Sequence, residues 1–149
     1  MTGADAGPLY HTGHLLRRAQ QLHQALWNRE VSSEVSSVQF AALLVIRQRP
    51  GLSQAELCDE LDLDRSTIAD LVDRMVRRGL LARAQSTEDR RRKVLTITER
   101  GASTLDEINP GVERVDALLT ETLAASERDE LRSMLRRMLA HGVETGTLR

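Results

Sequence analysis

The residue types with the most chemistry to offer fall in two stretches: Asp64-Arg65-Ser66-Thr67, followed by Asp70 and Arg74 at helical spacing, and Asp89-Arg90-Arg91-Arg92-Lys93. These groups are suited to recognition rather than bond-making. Short polar side chains with an arginine at a helix N-terminus fit base edges and phosphate oxygens in a major groove, and an arginine cluster offers a second grip on a phosphate backbone. Charge is distributed accordingly. The chain carries a formal net charge of −1, but residues 65–93 hold nine basic and four acidic residues, a local +5 that leaves −6 on the remainder. A field of that kind attracts a polyanion by releasing its counterions, whatever the charge of the whole chain.

Other chemistries lack their residues. No nucleophile with a neighbouring base and no phosphate-binding glycine loop is visible, so no enzyme, cofactor or metal site is expected. His11 and His14 stand at i, i+3 spacing without a carboxylate or thiol nearby, which reads as a surface pair rather than a metal site. The single cysteine, Cys58, excludes an intramolecular disulfide. It follows Leu57 on a short helix, where a small buried residue fits, so inert packing is expected and a thiol redox sensor is the alternative. No apolar run approaches the roughly 20 residues of a membrane span, and the N-terminus lacks the basic-then-apolar order of a signal peptide. A cytoplasmic protein with no membrane partner is therefore expected.

The elements that position these residues are mostly helices. The chain of 149 residues is 40% hydrophobic but only 2% aromatic, which favours a core of packed aliphatic helices. Leu15, Ala19, Leu22 and Leu26 recur at helical spacing over residues 9–30. Ser36 with Gln39, and Ser53 with Glu56, are capping-box signals for a second and a third helix, the second stopping at Pro50-Gly51 and the third near Leu61. Asp64 caps a fourth helix with Ile68, Leu71, Val72, Met75 and Val76 on its apolar face, closed by Gly79. Leu80 to Arg83 and Lys93 to Ile97 predict a β-hairpin. Thr98 starts a long helix with the seam Leu105, Ile108, Val112, Val115 and Leu119, with Pro110 as a candidate kink. Ser126 is expected to cap a last helix, with Leu131, Met134, Leu135, Met138 and Leu139 on one face, ending at Gly142. The fold class is thus mainly α with a small β-hairpin wing: a winged helix-turn-helix flanked by terminal helices.

Five segments in register resemble the MarR family of bacterial transcription factors: Gly51 to Leu57, Asp64 to Thr67, Val72 to Leu81, Asp89 to Arg91 and Ile97 to Gly101. The resemblance covers nearly the whole chain. It implies a homodimer whose end helices interlock and whose two lobes read an inverted repeat in double-stranded DNA. It also implies a division into an N-terminal dimerisation helix (1–35), a DNA-binding lobe (36–98) and C-terminal dimerisation helices (99–149). The groove-reading residues it assigns are Arg65, Ser66, Thr67, Asp70 and Arg74, with Ser53 and Gln54 near the backbone. Asp70 departs from the family's frequent arginine. A carboxylate there repels phosphate but accepts a hydrogen bond from cytosine. In the hairpin, Asp89 and Arg91 resemble the family's structural ion pair, Arg90 its minor-groove finger, and Arg92 and Lys93 are phosphate candidates.

Many members of the family release DNA when a small aromatic acid or a related compound binds between dimer core and lobes. His11, His14, Arg17 and Arg18, with Tyr10, Trp27 and Phe40, are the candidate cations and aromatic walls for an anionic aromatic effector. The run Gly13 to Gln20 also resembles regulators of aromatic-acid breakdown, some of which sense the acid or its coenzyme A thioester. The expected function is a ligand-released repressor; a non-specific architectural DNA binder would account for the basic patch alone.

Overall fold

The computed structural model describes residues 7–31 and 34–149; residues 1–6, 32 and 33, all within the expected N-terminal dimerisation segment 1–35, lie outside the described residues. A 3-10 turn, Pro8–Tyr10, leads into α1 (Thr12–Glu30), so the first helix starts slightly later than its periodicity predicts. Next come α2 (Ser37–Gln48), β1 (Leu52–Ser53), α3 (Gln54–Leu61), α4 (Arg65–Arg77), β2 (Leu81–Gln85), β3 (Lys93–Ile97), α5 (Glu99–Leu119) and α6 (Ala125–Glu144).

The lobe is built from strong local signals. Ser36 and Gln39 cap α2 reciprocally at 3.1 Å in each direction, and Ser53 and Glu56 do the same for α3 at 3.1 and 2.8 Å. The turn from α3 to α4 passes through Asp62, whose φ of 49° is left-handed. Gly79, at φ 71°, closes α4: its N–H reaches the Val76 carbonyl and the Leu80 N–H the Met75 carbonyl, the paired bonds that satisfy a helix C-terminus. Beneath these elements Leu43, Ile46, Leu57, Ile68, Val72, Met75, Leu80, Leu81 and Leu95 form one fully buried core, joined by Leu105 of α5.

The predicted hairpin is the larger part of a three-stranded antiparallel sheet in the order β1-β3-β2. Leu95 of β3 faces Arg83 on one side and Leu52 on the other. The two-residue β1 follows Gly51 (φ 82°) and is too short to leave a period in the sequence.

The long helix α5 connects the lobe to the ends. A Cβ placed on Gly101 would lie 2.1 Å from the Leu80 carbonyl oxygen, and one on Gly111 2.5 Å from that of Glu30. The first glycine lets α5 enter against the lobe, and the second lets it cross closely over α1. Pro110 sits inside α5, which runs on through it.

The last helix departs from expectation at both ends. Its N-cap is Ala124, not Ser126, and Glu127 receives the Ala124 N–H at 2.7 Å. Ser126 is already inside the first turn. The C-terminus is closed by Gly146 (φ 70°) rather than Gly142, through Gly146 N–H to Val143 and Thr147 N–H to Gly142. Gly142 instead lies within the helix, where Leu148 packs on it. Beyond this turn, the Arg149 N–H donates to Asp62 Oδ1 at 3.0 Å and its guanidinium to the Leu63 carbonyl, linking the end of α6 to the α3–α4 turn.

Candidate nucleic-acid interface and effector site

α4 divides into two faces at the period of a helix. Ile68, Val72 and Met75 point into the core, which leaves Arg65, Ser66, Thr67, Asp70 and Arg74 exposed together on the opposite side. The start of the helix is fixed by Asp64, whose carboxylate accepts the Thr67 N–H at 2.8 Å, the Ser66 hydroxyl at 2.7 Å and the Thr67 hydroxyl at 3.0 Å. Those bonds, the Thr67 N–H first among them, hold its pKa down at about 2. Asp73 faces the wing and pairs with Arg83 at 2.7 Å, as a neighbour of arginines is expected to.

The wing is organised by its own backbone. Ser86 N–H bonds to the Arg92 carbonyl and Arg92 N–H to that of Asp89, while Ser86 Oγ accepts the N–H groups of Glu88 and Asp89. Asp89 accepts the main-chain N–H of Arg91 at 2.9 Å, and among the described residues no ion pair joins their side chains. The expected wing pair is thus replaced by a local turn in which the carboxylate serves the backbone. Arg90 stands exposed at the tip, with no hydrogen bond or ion pair among the described residues.

Arg92 is held from an unexpected quarter: its guanidinium lies 2.6 Å from Glu56, which also caps α3 and lies 3.6 Å from Arg49. Hydrogen bonds from Ser53, with Arg92 added, lower the Glu56 pKa to about 2. Arg92 therefore pins the wing to α3 as well as facing solvent. Sequence reading misses this partner because Glu56 and Arg92 are 36 positions apart.

Residues from three separate stretches meet in one cleft of about 320 Å³, lined by Ser53 at the N-cap of α3, Gln54 of α3, Arg65 of α4, and Arg91, Arg92 and Lys93 of the wing. Gln54 Oε1 is buried there with no partner among the described residues. Cys58 reaches the same cleft but is only 5% exposed. A second groove of about 410 Å³ runs between the start of α2 and α4, where Ser36 and Gln39 approach Thr67, Asp70 and Arg74. The sequence reading does not connect α2 with this face. The pairing arises from packing of α2 on the helix-turn-helix.

The candidate effector residues separate into two groups. Tyr10, His11, His14, Arg17 and Arg18 are exposed or nearly so around the start of α1, with His14 and Arg17 linked at 3.2 Å and Arg18 bonded to Gln21 at 3.1 Å. Trp27 and Phe40 lie at the joint of α1 and α2, ring centroids 5.7 Å apart. Ten residues of helix, about 15 Å, separate Arg17 from Trp27. Trp27 is 3% exposed and its Nε1 donates to the Val35 carbonyl at 2.8 Å, so its ring is a buried prop rather than an open wall. Between the groups lies His23, which the sequence reading omits. Its ring is 5.9 Å from Trp27, and its Nδ1 is buried with no hydrogen-bond partner among the described residues. The i, i+4 spacing of His23 and Trp27 is the signal that points to it.

Known proteins with this architecture match the chain in sequence and structure. The MarR family model matches residues 33–92. The transcriptional repressor NicR of Pseudomonas putida is 34% identical over 128 residues, covering 85% of this chain and 81% of NicR. The PcaV transcriptional regulator from Streptomyces coelicolor, solved with its natural ligand, superposes with a TM-score of 0.86 at 37% identity, covering 91% of this chain and 96% of PcaV. BpsR of Bordetella bronchiseptica, whose DNA binding is regulated by 6-hydroxynicotinic acid, gives 0.82 at 29% identity, covering 86% and 92%. With helix order, wing and sequence all in agreement, the chain belongs to the MarR family of winged-helix transcriptional regulators.

Proposed function

We propose that this protein is a repressor that binds an inverted-repeat operator as a homodimer and is released by a small anionic aromatic compound or its coenzyme A thioester. The observation that carries the DNA-binding part is the convergence of Arg65, Arg91, Arg92 and Lys93 with the starts of α3 and α4 on one cleft, beside an exposed polar face of α4. In this reading α4 enters the major groove, Ser53 and Gln54 approach its backbone, Lys93 meets phosphate and Arg90 reaches the adjacent minor groove. Such an interface gives specificity over random DNA, which an architectural binder lacks.

The dimer is supported by the end helices. α6 contributes no buried residue, while its Met134, Met138, Leu139 and Val143, together with Leu15, Leu16 and Leu22 of α1, are exposed apolar groups. A second copy covers them, which leaves residues 36–98 as the DNA-binding lobe and 1–35 and 99–149 as the dimerisation segments. The effector class rests on the cations at the start of α1 and on the regulation of the relative BpsR by an aromatic acid. To release DNA, the effector must prefer a lobe spacing that misfits successive major grooves, because equal affinity for both arrangements shifts nothing. Cys58, buried behind the cleft, serves packing in this scheme.

Fluorescence anisotropy on the DNA upstream of the protein's own gene, against scrambled DNA at one salt concentration and with a panel of aromatic acids and their thioesters, tests the proposal. Specific binding relieved by one compound is expected. Equal affinity for both DNAs would favour the architectural alternative.

A further inference from the structure

The hydrogen-bond polarity of α4 restricts what its exposed face can read. A hydroxyl has one proton and two lone pairs. The protons of Ser66 and Thr67 both go to the Asp64 carboxylate, at 2.7 and 3.0 Å. Bonds to an ionised acceptor are about twice as strong as those between neutral groups, and Asp64 stays ionised because the same bonds stabilise its charge. Both hydroxyl oxygens therefore face outward as acceptors. One turn further on, Asp70 is exposed and has no hydrogen-bond or ion-pair partner among the described residues, whereas Asp73 is already taken by Arg83. An ionised carboxylate also only accepts. From Ser66 to Asp70 the helix rises about 6 Å, which is close to two base-pair steps. The donors, Arg65 and Arg74, stand at the two ends of this strip.

Resting on the DNA-binding reading above, we infer that Ser66, Thr67 and Asp70 form an acceptor-only strip that selects base amino groups in each operator half-site, with Asp70 specifying a cytosine. In the major groove only cytosine N4 and adenine N6 donate; guanine and thymine present O6, N7 and O4 as acceptors. A strip of acceptors meets repulsion on a guanine or thymine edge and a hydrogen bond on an amino group. Asp70 enforces this most strongly. A carboxylate amid phosphates lowers affinity for DNA in general, and an amino group opposite it offsets that cost at the matching sequence. Asp70 thus acts as a specificity filter, while the arginines and Lys93 supply affinity.

Two substitutions at this exposed position separate polarity from charge. Asp70→Asn keeps the shape, adds a donor and removes the charge; a side-chain amide pairs with adenine N6 and N7, so the selected base changes from cytosine to adenine. Asp70→Ala removes both functions, so selectivity at that base pair is lost while affinity for random DNA rises. The experiment is selection from a library of randomised half-sites by the wild type and both variants, followed by anisotropy on the selected sites at fixed salt. The expected result is a wild-type motif with cytosine at one position per half-site, about tenfold favoured over other bases, changed to adenine by Asp70→Asn and lost in Asp70→Ala. A wild-type motif that both variants leave unchanged would overturn this inference alone. A wild type that enriches no motif would overturn the operator-binding proposal and this inference with it.

Discussion

The lobe and the end helices of this chain bury their apolar residues to very different extents. In the lobe, α2, α3, α4 and the sheet enclose a core whose largest members, Leu43, Ile46, Ile68 and Met75, are fully buried. At the ends, the enclosed cluster is Leu26, Trp27, Val31 and Val115, and α6 adds nothing to it. Met138 is 50% exposed and Leu139 58%. Both regions are helical and similarly patterned, so periodicity alone does not reveal the contrast. What differs is how much of each helix the rest of this chain covers. The contrast changes along α5, whose Leu105 joins the lobe core and whose Val115 joins the end cluster.

The largest expected effect lies in the lobe. Ile46→Ala removes a fully buried side chain and should cost about 2–5 kcal/mol in denaturant unfolding, independent of protein concentration. A cost below 1 kcal/mol would mean that the lobe core is less tightly packed than it is here. The corresponding change at the ends, Leu139→Asp, should leave the lobe folded and shift the protein from dimer to monomer in sedimentation equilibrium. A variant that remains dimeric across the concentration range would remove α6 from the interface and break the comparison.

The joint gives the next effect. Gly111→Ala places a methyl 2.5 Å from the Glu30 carbonyl oxygen, so α1 and α5 must separate. The expected cost is about 1–3 kcal/mol, with weakened dimerisation, since α1 carries part of the exposed apolar face. Gly101→Ala makes a similar clash with Leu80 but on the lobe side, and should lower thermal stability while leaving the monomer-dimer equilibrium of the folded protein alone. If the two variants behave identically in sedimentation, the division of α5 into a lobe half and an end half is wrong.

Much of the lobe is legible in the sequence because its signals are local: Ser36 with Gln39, Ser53 with Glu56, Asp64 and Gly79 act within one turn of their own helices. The start of α6 is misread because Ser126 has the residue type of a cap, whereas Ala124 occupies the position and Glu127 supplies the reciprocal half of the motif alone. The wing is legible as a hairpin but not in its attachment. The Glu56–Arg92 contact spans two elements, and no periodicity encodes it. The effector residues are hardest to read. Trp27 looks like a ligand wall by type, and only packing against Phe40 and the bond to Val35 shows it as a prop, while half-buried His23, marked in sequence only by its spacing from Trp27, places a buried Nδ1 between helix start and joint.

The smallest effect tests how the wing is fastened to the lobe. Glu56 has a pKa of about 2 in the folded protein, against an ordinary 4.5, because it accepts bonds from Ser53 and Arg92. A carboxylate whose pKa is lowered by folding adds stability when ionised, so the contribution is complete above about pH 4.5 and is lost as pH falls toward 2. Glu56→Gln keeps an oxygen for the Ser53 N–H but loses the charge facing Arg92. Its unfolding midpoint should therefore lie slightly below that of the wild type at pH 7, and the two should converge on acidification through that window. Because Glu56 is close to solvent, added salt should shrink the gap at pH 7 as well. A gap that persists unchanged at pH 2 would show that the glutamate acts through shape rather than charge, and that the wing is held to α3 by its backbone turn and the β1-β3 pairing instead.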